Sequence, residues 1–173
     1  MLRKLLIIFF ISLPIISFAE NLSIEQIKKQ EPQQVGEIHF TKWFFDIYNA
    51  ELFTQNGEFS WNKPFLLKIH YLRSFSGKSI AKHTIKEIYS QHPQITKPKY
   101  QKYREVFNNL IPDVKKGSNL YGYMDKDGYG HLYTDSKLLG RIPSKQLSKY
   151  FFEIWLSDNS SDINLSKQLR GLL

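Results

Sequence analysis

Three side chains in this sequence stand where an acid could be recognised. Arg73 follows a run in which Phe65, Leu67, Ile69 and Tyr71 alternate onto one apolar face, with Lys68 and His70 on the other. Continued by the same period of two, Arg73 falls on the apolar face one step beyond Tyr71. There its planar fork of donors suits a carboxylate lodged in a cleft. The alternative is an arginine that reaches solvent or pairs with Asp46 or Glu51, its stem lying on Tyr71. Tyr71 and Tyr48 are amphipathic and join Arg73 as candidate ligand-binding residues. For each, the alternative is a core ring whose hydroxyl is satisfied by the protein.

Other chemistry finds little support. The five histidines (His39, His70, His83, His92, His131) show neither HxxxH nor HExxH spacing, and no cysteine is present to complete a zinc site. No metal and no cofactor is expected. His83 falls on the polar side of its helical stripe and is expected to be exposed. Asp125-Lys126-Asp127-Gly128 has the middle of a calcium loop but no glutamate at the required distance, and reads as a turn. A GxSxG elbow and a glycine-rich phosphate loop are both missing. Zero cysteines also exclude thiol catalysis and disulfide exchange. The net charge of +8 raises the question of nucleic acid. The lysines are scattered, however, and the chain carries an export signal. A solvated basic surface is the reading, with peripheral affinity for an anionic membrane second, and no nucleic-acid partner is expected.

That signal occupies residues 1–19. Arg3 and Lys4 precede an apolar run from Leu5 to Phe18, and Ser17-Phe18-Ala19 supplies the small residues a signal peptidase needs. At about fourteen residues, broken by Pro14, the run is shorter than the ~20 that span a bilayer. Cleavage after Ala19 and a soluble periplasmic product are expected. Residues 20–34 form a polar lead-in with a helical hint at Ile24 and Ile27. Residues 35–173 make one domain, monomeric and large enough to be held by its core alone.

Elements follow from periodicity. Val35 to Phe53 is aromatic and β-branched with no helical stripe, and reads as one long strand or two bent ones, buried on both faces through its centre. Asp46 and Asn49 interrupt it and, if buried, need partners. Asn56-Gly57 marks a hairpin onto the Phe65–Arg73 strand, with Trp61 near the turn. Gly77 ends that strand, and Ile80, Ala81, Thr84, Ile85 and Ile88 then recur at helical spacing. A second helix carries Tyr100, Tyr103, Val106, Phe107, Leu110 and Ile111, closed by Pro112. Short strands follow around Leu120–Met124, Tyr129–Thr134 and Leu138–Ile142. A helix from Pro143 buries Leu147, Tyr150, Phe151, Ile154 and Trp155, and Asn164 caps a last one. The sum is an α+β fold, an antiparallel sheet with helices packed on one face. Trp43, Phe44 and Phe45 are large enough to plug the cleft such a layer leaves.

Several stretches together resemble one family. They are Ile47 to Leu52, Phe65 to Arg73 ahead of Gly77, Pro112-Asp113-Val114 with Gly117, Phe151 to Leu156, and Leu169-Arg170-Gly171-Leu172-Leu173. In order and spacing they resemble the exported bacterial branch of the chalcone isomerase-like superfamily, from Val35 to Leu173. The resemblance implies an open-faced sandwich with a cleft between sheet and helices. It also implies one of two functions. Plant members close a flavonoid ring with an arginine ahead of the first core strand and a threonine on it. Here Gln33-Gln34-Val35-Gly36 and Lys42-Trp43-Phe44-Phe45 stand in those neighbourhoods, a departure from the enzyme. Other members hold fatty acids without catalysis. The expectation is therefore a periplasmic, non-catalytic binding protein for a small amphipathic carboxylate such as a fatty acid. The alternatives are an intramolecular lyase or isomerase and an envelope protein that binds a partner.

Overall fold

The strands pair in sequence order, with two helices inserted between the third strand and the fourth. The computed structural model describes residues 23–30 and 32–173; the expected leader, with cleavage after Ala19, lies outside them. β1 (Gln33–Lys42), β2 (Phe45–Thr54), β3 (Phe65–Tyr71), β4 (Asn119–Met124), β5 (Gly130–Tyr133) and β6 (Leu138–Arg141) form one sheet, each strand antiparallel to its neighbours. One face carries α2 (Gly77–Gln91), α3 (Lys97–Leu110), α4 (Lys145–Leu156) and α5 (Ile163–Leu169). The α+β class and its helix layer stand as the sequence predicts. One addition lies on the second face. There the short α1 (Ile24–Lys28), capped by Ser23, buries Ile24 and Ile27 against Leu66, Tyr121 and Tyr133. The helical hint in the lead-in is a real packing element.

The main core forms where β3 meets the helices. Phe65, Leu67, Ile69 and Tyr71 all point into it, facing Ala81, Ile85 and Ile88 of α2 and Phe151, Phe152 and Leu156 of α4. Gly77 starts α2 for a steric reason. A Cβ there would lie 2.1 Å from the Ile111 carbonyl oxygen, and its amide donates to Asp113 Oδ1 at 2.8 Å. That contact ties the α2 start to the Pro112-Asp113 turn after α3.

Some local expectations need correction. Of the two readings of Val35–Phe53 the two-strand one holds, but β1 is an edge strand with most side chains partly or fully exposed rather than buried on both faces. Between them Trp43 and Phe44 form a two-residue turn with φ of 54° and 65°, a backbone normally given to Asn-Gly. For side-chain-bearing residues it costs roughly 1–2 kcal/mol each. Trp43, Phe44 and Phe45 therefore plug nothing: they are 80%, 106% and 54% exposed. Asp46 is exposed and Asn49 half-buried, and both bind His39, Asp46 Oδ1 to Nε2 at 2.7 Å and Asn49 Oδ1 to Nδ1 at 2.6 Å. Finally, α4 starts at Lys145 under a Ser144 cap rather than at Pro143, and also buries Phe152 and Leu156 fully, while Asp162 rather than Asn164 caps α5.

Candidate functional site

The core is not filled from end to end. Toward the Tyr71 end of β3 the sheet and helices separate around a cavity of about 240 Å³. Its floor is Leu67 and Ile69 of β3 with Leu120 of β4 and Leu132 of β5. Ile80 and Thr84 of α2, Ile154 and Trp155 of α4, and Phe75 close its sides. Gly122 belongs to the same floor, where an added Cβ would lie 2.7 Å from the Phe152 ring. That missing side chain lets α4 sit close at the inner end. The exposed lining residues are Lys42, Ser79 and His83, which mark the mouth between the end of β1 and α2.

Two of the three residues singled out from sequence meet here. Tyr48 and Tyr71 are cross-strand partners on β2 and β3, their rings 6.2 Å apart and edge-on, and both line the cavity. Phe40 stacks on Tyr48 from β1 at 4.9 Å. The Tyr48 hydroxyl accepts a hydrogen bond from Trp155 Nε1 at 3.0 Å, so its own proton is left to donate. The Tyr71 hydroxyl has no hydrogen-bond partner among the described residues. Burial pushes both phenols well above the ordinary tyrosine range. They are thus neutral donors at physiological pH, not bases.

Arg73 does not line the cavity. β3 ends at Tyr71, after which residues 72 and 73 bend away from the strand, so the alternation that would aim Arg73 inward has stopped. Its guanidinium lies 4.4 Å over the Phe45 ring on the surface. The mouth has a different cation, Lys42.

Two further cavity residues were not anticipated. Glu87 lies on the wall with its Oε2 buried and without a hydrogen-bond partner among the described residues. His83, one turn earlier, has Nε2 at 3.8 Å from Glu87 Oε1. Burial, with Lys42 and Lys86 nearby, holds His83 below its ordinary value, although Glu87 pulls the other way. A signal existed: residues 83 and 87 are four apart and flank Ile80 and Thr84 on the helical wheel. The cavity's apolar rim is wider than the stripe of fully buried residues. Among the described residues no group of three potential metal ligands occurs, and no helix is long and apolar enough to cross a membrane.

Comparison with known proteins agrees with this architecture. The fold superposes on the crystal structure of an Arabidopsis thaliana fatty-acid binding protein with a TM-score of 0.60 at 7% identity. The match covers 81% of this chain and 87% of the other. No curated protein matches by sequence. The sequence profile of the chalcone isomerase-like proteins matches residues 39–171, nearly the whole described sheet and all four helices of its main layer. The chain belongs to the chalcone isomerase-like family.

Proposed function

We propose that this protein is a non-catalytic, exported carrier of a small amphipathic carboxylate, held in the cavity between β1–β5 and helices α2 and α4. The observation that carries the reading is an open apolar cavity with unused phenol donors in its wall. The aliphatic floor holds the tail by excluding water. Tyr71, Tyr48 and the ammonium of Lys42 are the donors offered to the carboxylate. Arg73, lying over Phe45, takes no part in this arrangement.

Volume narrows the ligand. An apolar cavity of ~150 Å³ accepts benzene, so about 240 Å³ accepts roughly ten non-hydrogen atoms on the same scale. A medium-chain fatty acid or a compact aromatic acid fits better than a long-chain one. The fatty-acid binding protein of like fold supports the ligand class by analogy. The export signal at residues 1–19 supports a periplasmic setting.

Native mass spectrometry of the purified protein, followed by organic extraction, tests the reading. The expected result is one bound acid per chain, or uptake of one from a panel of acids. A protein that is empty and takes up none of them overturns it.

A further inference from the structure

The turn between β1 and β2 presents the least expected surface of the molecule. Trp43, Phe44 and Phe45 project together into solvent, and the first two do so from left-handed backbone. The Trp43 and Phe44 side chains lie almost wholly outside the packed core, and Phe45 packs under the Arg73 guanidinium at the surface. Exposed aromatics in a row have a natural solvent at the lipid interface, where ring bodies enter the acyl boundary and polar edges stay wet. The charge around them has one sign in excess. Lys42 precedes the turn, Arg73 lies over Phe45, and Lys116 lines the same shallow surface as Phe44 and Phe45. Across the cavity mouth, Lys78, Lys82 and Arg104 surround Ser79. The carboxylate beside this turn, Asp46, is held by His39 at 2.7 Å, and Asp113 is engaged at the start of α2.

We infer that the β1–β2 turn is a membrane-docking wedge: Trp43, Phe44 and Phe45 enter an anionic lipid surface while Lys42, Arg73 and Lys116 engage its head groups. Interfacial aromatics enter to a depth of about 5–10 Å, and nearby cations add attraction that salt screens. Lys42 belongs both to the wedge and to the cavity mouth. Docking therefore turns the mouth toward the bilayer, from which an amphipathic acid enters. Entry of the acid rests on the proposed function; the docking does not, because vesicle binding is measured with no acid added.

The test uses the protein as the expressing cell yields it, with vesicles of phosphatidylcholine alone or with about a third phosphatidylglycerol. Variants are Trp43→Asn/Phe44→Gly, which gives the turn its preferred residues, and Lys42→Gln/Arg73→Gln/Lys116→Gln. Any contribution of residues 1–19 is common to all and cancels in the comparison. Wild type should bind the anionic vesicles at least tenfold better than neutral ones, and less in high salt. The Asn-Gly variant should lose at least tenfold in binding while melting no lower than wild type. Brominated lipid should quench wild-type tryptophan fluorescence more than that of Trp43→Phe. Equal binding of wild type and the Asn-Gly variant, or no preference for anionic vesicles, overturns the inference. So does lipid-free self-association that the Asn-Gly variant abolishes, which would make the turn a contact between copies.

Discussion

Two ends of one sheet face behave differently. At the start of β3, Phe65 sits in a ring cluster with Phe59, Trp61 and Phe152, centroids 4.9–5.9 Å apart and nearly edge-on, and is 2% exposed. At its end, six residues on and on the same face, Tyr71 borders a cavity of about 240 Å³. The chain has aromatic volume to spare, since Trp43 and Phe44 are spent on solvent. The hollow end is thus not a shortage of large residues. It is lined by medium aliphatics and by groups with spare hydrogen-bonding capacity, Tyr48, Tyr71 and Glu87. A packed core tolerates neither feature. The filled end supplies stability, and the hollow end is where the proposed ligand would sit.

Substitutions at each end should separate these roles. Phe152→Ala, at the fully buried inner end, should lower unfolding free energy by about 3–5 kcal/mol, read as a fall in the urea midpoint. Filling the hollow end should do the reverse. Ile80→Trp, on the cavity wall, should cost under about 1 kcal/mol because space awaits the ring, yet cut acid uptake at least tenfold. The same change at Ile88, fully buried and outside the cavity lining, should cost ~1–3 kcal/mol by overpacking. Tyr71→Phe removes one unused donor. It should weaken carboxylate binding by up to about tenfold, the ~0.5–1.5 kcal/mol of one hydrogen bond, with the melting temperature unchanged.

The smallest effect lies on the exposed edge strand. Hydrogen bonds from His39 to Asp46 and Asn49 raise its pKa above 6.5. A raised histidine contributes stability that is fully present below 6.5 and fades as pH rises through the folded value. In Asp46→Asn the NMR titration of His39 should move back toward 6.5, with little change in the melt. A wild-type midpoint at or below 6.5 would contradict the geometry.

Much of the frame was legible in the sequence because periodicity survives folding. The β3 alternation, the α2 stripe, the Asn56-Gly57 connection and Pro112 after α3 all fall where the residues place them. Tyr48 and Tyr71 were legible for the same reason: each sits within a regular strand whose inward face is set. Arg73 was not, because its orientation depended on extending an alternation past the residue where β3 ends. The turn at Trp43-Phe44 was hidden by chemistry that argues against it, since aromatic residues normally avoid left-handed backbone. Lys42 and His83 look like solvated charges in sequence. Only the gap between α2 and β1 makes them a rim. Cavities are properties of several elements at once, and no single stretch encodes one.

The most direct measurement is calorimetric titration of decanoate into the purified protein and into its Ile80→Trp variant, with decanol and a long-chain acid as comparisons. One-to-one binding by wild type, preferring decanoate to both comparison ligands and lost in the blocked variant, is the predicted result. Absence of binding by wild type, or equal binding by the blocked variant, would contradict a cavity built to hold an amphipathic acid.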